Sequence, residues 1–557
     1  FERATPEQIG LYLPITDSNV VSSTSSLYVR YKKQSDIQWK NGHQLVRINP
    51  DWNRTAPVAL IDSFAGTIFD LTPNTTYDIE LTLKETGEPD KTLLTTATTR
   101  SLPSAAPNQT KTASPGDNLQ TVFNSLVPGD VLVLSNGTYT VNELYLNVKG
   151  TALQPIYIRG ESREGVIISD NDGRIIQIRD VNHLILENIT LQGSGVDAGK
   201  NYKSQGVSFW DGAPVQEFIT FRDLDFIGVD MGIVAWGTVR SIMVYNCKFQ
   251  GNNTWNDVNT NLTWDDDGIR LPGEGNVAFE NTLHGFGDSF AVIEHFHSSA
   301  IYFYRNHITM TGDDAFEGDY ATRNIGIYDN YVTNSATFLS LDPLYGGPLY
   351  AFRNIVINTY RGPYKFNDTG SGFLVYNNTI VRTLGQVYDD GRDFGWVQFG
   401  AVYHRGWSYR NNILIYRGGT NLLVYETNVN DPIDFTHNAW YPDGFVEWSR
   451  SGSYYFSMTD AIAGVGQRAT LPLFGNSTQR HEHDVVTDSN PFTNTIDLGA
   501  DYTTQYSDNV IPMLSAGTTP KNSGVAIHNV TDGYSGNAPD RGAIIEGRPI
   551  VSYGANR

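Results

Sequence analysis

Between about residues 118 and 460 apolar and polar positions alternate in short runs, and the runs themselves recur. Two or three apolar or aromatic residues in alternation lead to an Asn or Asp, and a second short run follows, as in HLILENITLQG, SIMVYNCKFQG, AIYFYRNHITMTG and LYAFRNIVINTY. Aligned on that polar residue, the copies place Asn188, Asp223, Asn246, Asn281, Asn306, Asn330, Asn354, Asn378 and Asn412 in one column, 23–25 or 34–35 residues apart. Period-two alternation predicts strands, and regular recurrence at this length predicts stacked supersecondary units rather than one globular core. The first hundred residues follow a different rhythm. SLYVRYK at Ser26–Lys32 and YDIELTL at Tyr77–Leu83 are longer alternating runs, expected of half-buried antiparallel strands. A stretch dense in Thr, Ser, Ala and Pro, TTATTRSLPSAAPNQTKTASPG, then reads as a last strand and a linker. The expected division is an antiparallel module at 1–102, a linker at 103–117, a solenoid at 118–460 and a tail at 461–557 in which the repeat is lost.

Within the first module, Leu71, Pro73, Tyr77 and Ile79 of FDLTPNTTYDIEL resemble the L-x-P … Y-x-I pattern of fibronectin type III domains. That resemblance implies a small β-sandwich whose corner tyrosine hydrogen-bonds back onto the chain. The repeat, with three short strands and an in-register polar residue per coil, resembles a right-handed parallel β-helix. It implies that the column of Asn side chains stacks as a ladder, each amide bonding its neighbour one coil away. NLQTVFNSLVPGDVLVLSNGTYTV is similar to that family's N-terminal cap, a short helix followed by the first coil. Cys247 directly follows a ladder residue and is expected to point into the core. The predicted fold class is therefore all-β, a right-handed parallel β-helix preceded by a fibronectin-III-like sandwich.

Three coils carry about ten extra residues each, always between the Asn strand and the next strand: GSGVDAGKNYKSQG, GNNTWNDVNTNLTWDDDG and TLGQVYDDGRDFG. Insertions at one point of a coil wall one face of a solenoid, which often marks a binding face. The same corner carries the acids Asp265, Asp266, Asp267, Asp288, Asp313 and Asp314. With coils stacked at about 4.8 Å, they should line a short stripe, and a stripe of like charge is costly unless it shares protons or cations. On the following strand, Phe316 and Gly318 facing inward would leave Glu317 and Asp319 outward. By the same alternation Arg270, Lys365 and Asn367 face outward. Counting back from the ladder aligns Arg270, His295, Asp319, Pro343 and Asn367, with Glu294 and Asp342 one residue away from that column.

Charge narrows the partners. The 557 residues hold 39 Lys and Arg against 60 Asp and Glu, a net charge of −21, so neither nucleic acid nor an anionic membrane surface is an expected partner. No run of about 18 apolar residues exists to cross a membrane, and one cysteine permits no intrachain disulfide. The chain opens at Phe1 without a basic-then-apolar leader. A secreted or periplasmic protein whose signal peptide has been removed, working as a monomer, is the expectation.

An outward row of carboxylates, Arg, His and Lys beside aromatic loops suits a sugar chain, since aromatic faces stack on pyranose rings and carboxyl groups supply acid and base. The expected catalytic residues are Glu317 as general acid with Asp319, Asp313 or Asp314 as base, assisted by His295 and Lys365. Substrate contacts are expected from Arg270, Asp267, Asp288, Glu294, Asp342, Arg361, Tyr364, Asn367, Trp264 and Trp396. Glu317-Gly-Asp319 resembles the Glu-x-Asp pair of β-helix carrageenases, whereas the N-T-D, G-H-G and R-I-K motifs of polygalacturonases are absent. The leading expectation is thus a glycoside hydrolase on an algal or plant polysaccharide, with no required cofactor. The alternative is a lyase resembling the alginate and chondroitin lyases of this fold. That resemblance implies calcium held by Asp313, Asp314, Glu317 and Asp319, with Lys365 or Arg270 as base. A third possibility, a non-catalytic glycan-binding adhesin or tailspike-like protein, would not need clustered carboxylates.

Overall fold

A computed structural model of the chain describes residues 1–16, 21–22, 24–50, 59–170, 173–195, 204–212, 214–253, 266–292, 298–366, 370–386, 396–399, 404–419, 421–425, 434–449, 453–455, 457–463, 481 and 483–556. Its elements are almost all strands; the described helices are Leu119–Asn124 and Met458–Ala463. Thirty-seven strands belong to one hydrogen-bonded sheet in which strands pair with others one coil on, nearly all in parallel. This is the all-β solenoid predicted, and the cap helix Leu119–Asn124 sits where expected, its first turn closed by the Asn118 side chain accepting from Thr121 N–H. Most of the three longer loops, 196–203, 254–265 and 387–395, fall outside the described residues.

The chain divides into two compact units. One comprises 102–317, 330–336 and 552–557. Its coils stack by side-chain identity as well as by backbone pairing. Tyr245, Phe279 and Tyr304 lie ring on ring at centroid distances of 4.9 Å, and Phe290 covers Phe316 at 5.2 Å with planes 5° apart. The Asn ladder runs through Asn281, Asn306 and Asn330, each side-chain amide donating to the next Oδ1 at 3.0–3.1 Å.

The ladder corrects the sequence alignment at its first three members. Asn188, Asp223 and Asn246 have φ values of +62°, +54° and +53° and share a left-handed corner column with Glu280 and Arg305, one residue before the ladder. Asn and Asp tolerate that corner best, so two adjacent columns favour the same residue types and the sequence cannot separate them. The ladder position in the early coils is occupied by Ile189, Leu224 and Cys247. Cys247 lies in the core as expected, its backbone N–H donating to Asn281 Oδ1 at 3.1 Å, and burial pushes its thiol up to about 12.

The other unit comprises 1–101, 318–329 and 337–551. This unit has its own Asn ladder, through Asn354, Asn378, Asn412 and Asn438, which ends on Asp484, whose Oδ1 accepts from Asn438 N–H at 2.6 Å. Residues 1–101 form two antiparallel sheets, one of Ile9–Pro14, Ser63–Ile68 and Val46–Ile48, the other of Lys40–Asn41, Ser26–Lys33, Thr76–Lys84 and Lys91–Thr98. Leu27, Val29, Phe64, Ile68, Tyr77 and Ile79 fill the space between them. The Tyr77 hydroxyl accepts from Thr72 N–H at 2.8 Å, the corner contact expected from the sequence. Tyr77→Phe is expected to cost about 0.5–1.5 kcal/mol, the net worth of one hydrogen bond; a lower urea midpoint for the full chain checks this.

The sandwich is packed on coils of its own unit. Phe69 stands edge-on to Tyr328, Tyr350 and Phe352 at 4.9–5.2 Å. Arg353 reaches both Asp329 at 2.6 Å and Asp70 at 3.1 Å. A face that a freely hinged spacer would leave in water is thus buried.

Candidate active site and acidic cluster

In the unit containing residues 102–317, the strands Asp267–Arg270, Asp288–Ala291 and the end of His307–Glu317 lie side by side in parallel. Strand register makes Ile269, Phe290 and Phe316 one inward column and Arg270, Ala291 and Glu317 the adjacent outward one. Further back on the same strands Asp267 pairs with Asp288. Asp314 N–H donates to Asp288 Oδ1 at 2.9 Å. Asp313 N–H reaches Gly287 O at 2.8 Å, and Gly287 N–H reaches Asp266 O at 3.0 Å, so Asp266 and Asp313 flank the row.

The acidic stripe predicted from sequence therefore exists, and it is buried. Asp266, Asp267, Asp288, Asp313 and Asp314 are each at most 8% exposed. Carboxylate oxygens of Asp267, Asp288 and Glu317 lie within 4.8 Å of one another, and so do those of Asp288, Asp313 and Asp314. Asp288 belongs to both triads. Burial first, and then the neighbouring charges of Glu317, Asp313, Asp314 and Asp267, raise its pKa well above the usual carboxylate range.

Among the described residues, one cation is joined to this group. Arg270 is 3% exposed and pairs with Asp267 through Nε, with its guanidinium 4.5 Å from the Trp236 ring centroid. Burial opposes the charge of Arg270, but Asp267, with Glu317 and Asp288, holds its pKa above the usual value. Its Nη2 is buried and makes no hydrogen bond to any described residue. An anionic group brought to the site would supply the missing acceptor.

An all-carboxylate donor set is what a hard cation takes. Oxygens on opposite sides of one calcium ion stand about 4.6–5.2 Å apart, twice the usual calcium–oxygen distance, so either triad fits around one ion. Asp267, Asp288, Asp313, Asp314 and Glu317 are the residues that would hold it.

The remaining expected residues divide into three groups. His295, Glu294, Asn367 and Trp264 fall outside the described residues. Asp319 keeps a carboxylate oxygen on Ser340 Oγ at 3.1 Å and Asp342 N–H at 2.7 Å. Asp342 and Arg361 are half-buried, and so is Lys365, in register with Ser340 and Gln398. The aromatics are a correction. Tyr364 and Trp396 are core residues at 0% and 1% exposure. Tyr364 is edge-on to Phe338 and Tyr409, and Trp396 is edge-on to Tyr416. Neither offers a face to a sugar.

The predicted outward column of Arg270, His295 and Asp319 is also corrected, to Arg270, Ala291 and Glu317. Counting back from the ladder fails because the segment between this strand and the ladder varies in length. Counting along inward aromatics and aliphatics (Ile269, Phe290, Phe316) would have found it. Sequence reasoning gave Asp288 to substrate contact and missed its place at the centre of both triads; Trp236 it missed altogether.

No family model matches the chain, and no curated protein matches it. Solved structures match it only at low identity and low TM-score. An alginate lyase from Paenibacillus sp. str. FPU-7 matches at 14% identity and TM-score 0.32 over 52% of this chain and 99% of that one. A family 28 exopolygalacturonase of Yersinia enterocolitica matches at 11% and 0.28 over 80% and 94%. A GH87 α-1,3-glucanase from Streptomyces thermodiastaticus strain HF3-3 matches at 14% and 0.29, over 80% of each chain.

Proposed function

We propose that the chain is a secreted, calcium-dependent polysaccharide lyase that cleaves a uronate-bearing chain by β-elimination. The observation that carries this reading is the pair of carboxylate triads sharing Asp288, with ligand oxygens within 4.8 Å. Five acids converge there, and only Arg270 is paired into them among the described cations. Unscreened, such a group would repel an acidic sugar; a bound divalent cation would neutralise the uronate carboxylate and so acidify the adjacent ring proton. Asp267, Asp288, Asp313, Asp314 and Glu317 hold the ion in this reading. Arg270 orients Asp267 and offers Nη2 to the substrate's anionic group. Arg270 is unsuited to the role of base, since Asp267 holds it charged.

The hydrolase reading comes second, on one observation: the raised pKa of Asp288 would keep a proton beside Glu317. An inverting enzyme needs its carboxyl groups about 6.5–9.5 Å apart to admit water. The Asp288 and Glu317 oxygens lie within 4.8 Å, so only a retaining arrangement is compatible.

Digestion of alginate and polygalacturonate distinguishes the two. Ultraviolet absorbance from unsaturated uronate ends is expected to grow with time, stop on EDTA and return with calcium. New reducing ends without that absorbance, unaffected by EDTA, would replace the lyase with the hydrolase.

A further inference from the structure

The outward column that ends at Glu317 can be followed in the opposite direction through the same unit. Tyr145, Gln177, Ser208, Val234, Arg270, Ala291 and Glu317 are consecutive register partners. Six steps of about 4.8 Å make a row of about 29 Å, several sugar units long, whose members from Gln177 to Ala291 are buried, so a ligand would meet the residues that flank it. Flanking this row, just past the strand ends, stand Arg179, Trp210 and Trp236. The latter two directly follow the register partners Phe209 and Ala235 on neighbouring coils.

These residues are coupled in space. The Arg179 guanidinium lies 3.6 Å from the Tyr145 ring centroid and 5.5 Å from that of Trp210. Its Nε donates to Gln177 Oε1 at 2.6 Å, which fixes the fork between the two rings. Arg270 repeats the motif over Trp236 at 4.5 Å. Trp210 is 46% exposed, and Tyr145, Arg179 and Trp236 are half-buried, so unlike Tyr364 and Trp396 they retain surface for a ligand. An exposed tryptophan beside a guanidinium offers a stacking face for a pyranose ring and a donor fork for a carboxylate or sulfate.

We propose that Tyr145, Arg179, Trp210 and Trp236 form a subsite track along which an acidic polysaccharide lies on its way to the acidic cluster. Arg179 binds the anionic group of a sugar unit distant from the reacting one, and Trp210 and Trp236 stack on ring faces between. The proposal rests on the lyase reading for its direction, but the track would bind whether or not the cluster performs elimination. It also gives an acidic chain a foothold on a protein of net charge −21.

Affinity electrophoresis tests it without turnover. The full chain is run in native gels containing alginate, polygalacturonate or a neutral glucan, with EDTA present. The polyuronates are expected to retard the wild type in a salt-sensitive way. Trp210→Ala and Arg179→Gln should each weaken retardation about fivefold, the size of one cation–π or stacking contact, while Trp210→Phe retains most of it. Melting curves run alongside separate lost binding from lost folding, and Trp210→Leu and Arg179→Met replace any variant that melts early. Retardation by the neutral glucan alone, no retardation at all, or retardation indifferent to both positions overturns the track. Track-dependent retardation in EDTA, with no unsaturated product in a parallel digestion containing calcium, upholds the track and removes the lyase reading instead.

Discussion

Asp288→Asn is expected to raise the melting temperature of the metal-free protein at neutral pH and to abolish the further rise that calcium gives the wild type. The carboxyl of Asp288 has its pKa raised by burial and by Glu317, Asp313, Asp314 and Asp267. A carboxyl whose pKa is higher in the folded than in the unfolded state binds its proton more tightly when folded. Its cost is therefore absent well below the unfolded value of about 3.9. The cost grows as pH rises from there through the raised folded value, and it is complete above that. Asparagine keeps the shape without the charge and removes the cost. Calcium reverses the sign for the wild type, because five carboxylates that repel one another become ligands. Saturation to about 100 times Kd would add about 2.7 kcal/mol. With the residue common to both triads gone, that gain disappears and activity falls by at least about 100-fold, the upper end of what loss of a group supporting a metal ligand costs. Thermal melts with calcium or EDTA across pH 4–8 read the sign directly. A wild type indifferent to calcium, with Asp288→Asn still active, would remove the cation from the site.

The largest effect on stability is expected at the ladder. Asn378→Ala removes four hydrogen bonds at once. Asn354 loses the Oδ1 that accepts from both its backbone and side-chain N–H at 3.0 and 2.9 Å. Ala351 O and Asn412 Oδ1 lose the donor that reaches them at 2.9 and 3.0 Å. All these residues are buried at 0% exposure, beyond the reach of replacement water. Asn412 Oδ1 keeps the backbone N–H of residue 378 and Asn354 Nδ2 keeps Ile327 O, so at about 1–3 kcal/mol for each buried group left unpaired the loss is about 2–6 kcal/mol. In a stacked-coil protein the defect acts on nearest neighbours, so protection from hydrogen exchange should fall first in the coils around 349–382. A urea midpoint equal to that of the wild type would show that the ladder satisfies polar groups without adding stability.

The hydrophobic pattern carried the fold because every coil repeats it. A run such as AIYFYRN must bury its alternate side chains whatever its neighbours do, and the repeat leaves parallel stacking as the way to do so. The Tyr77 corner was legible for the same reason, since one short motif contains both donor and acceptor. The acidic stripe was legible as a concentration of Asp at one corner. Its internal arrangement was not, because register across coils depends on loop lengths such as that between Ala291 and Ser299, which follow no local rule.

Sequence also gave no means of telling which aromatics lie inside. Trp396 and Tyr364 in the core, and Trp210 and Trp236 along the proposed track, each stand within two residues of a glycine and of an apolar residue; their fate is set by which side of the coil the backbone turns them toward. By itself, then, the chain's alternation and its column of Asn determined an all-β solenoid with an N-terminal sandwich and one acidic corner. Only the tertiary structure decided that Asp288, rather than Asp319, is the residue in which two carboxylate triads meet. The physical reason is that alternation within a strand is local and survives in the sequence, whereas the meeting of like charges from successive coils is created by stacking and exists only once the coils are in register.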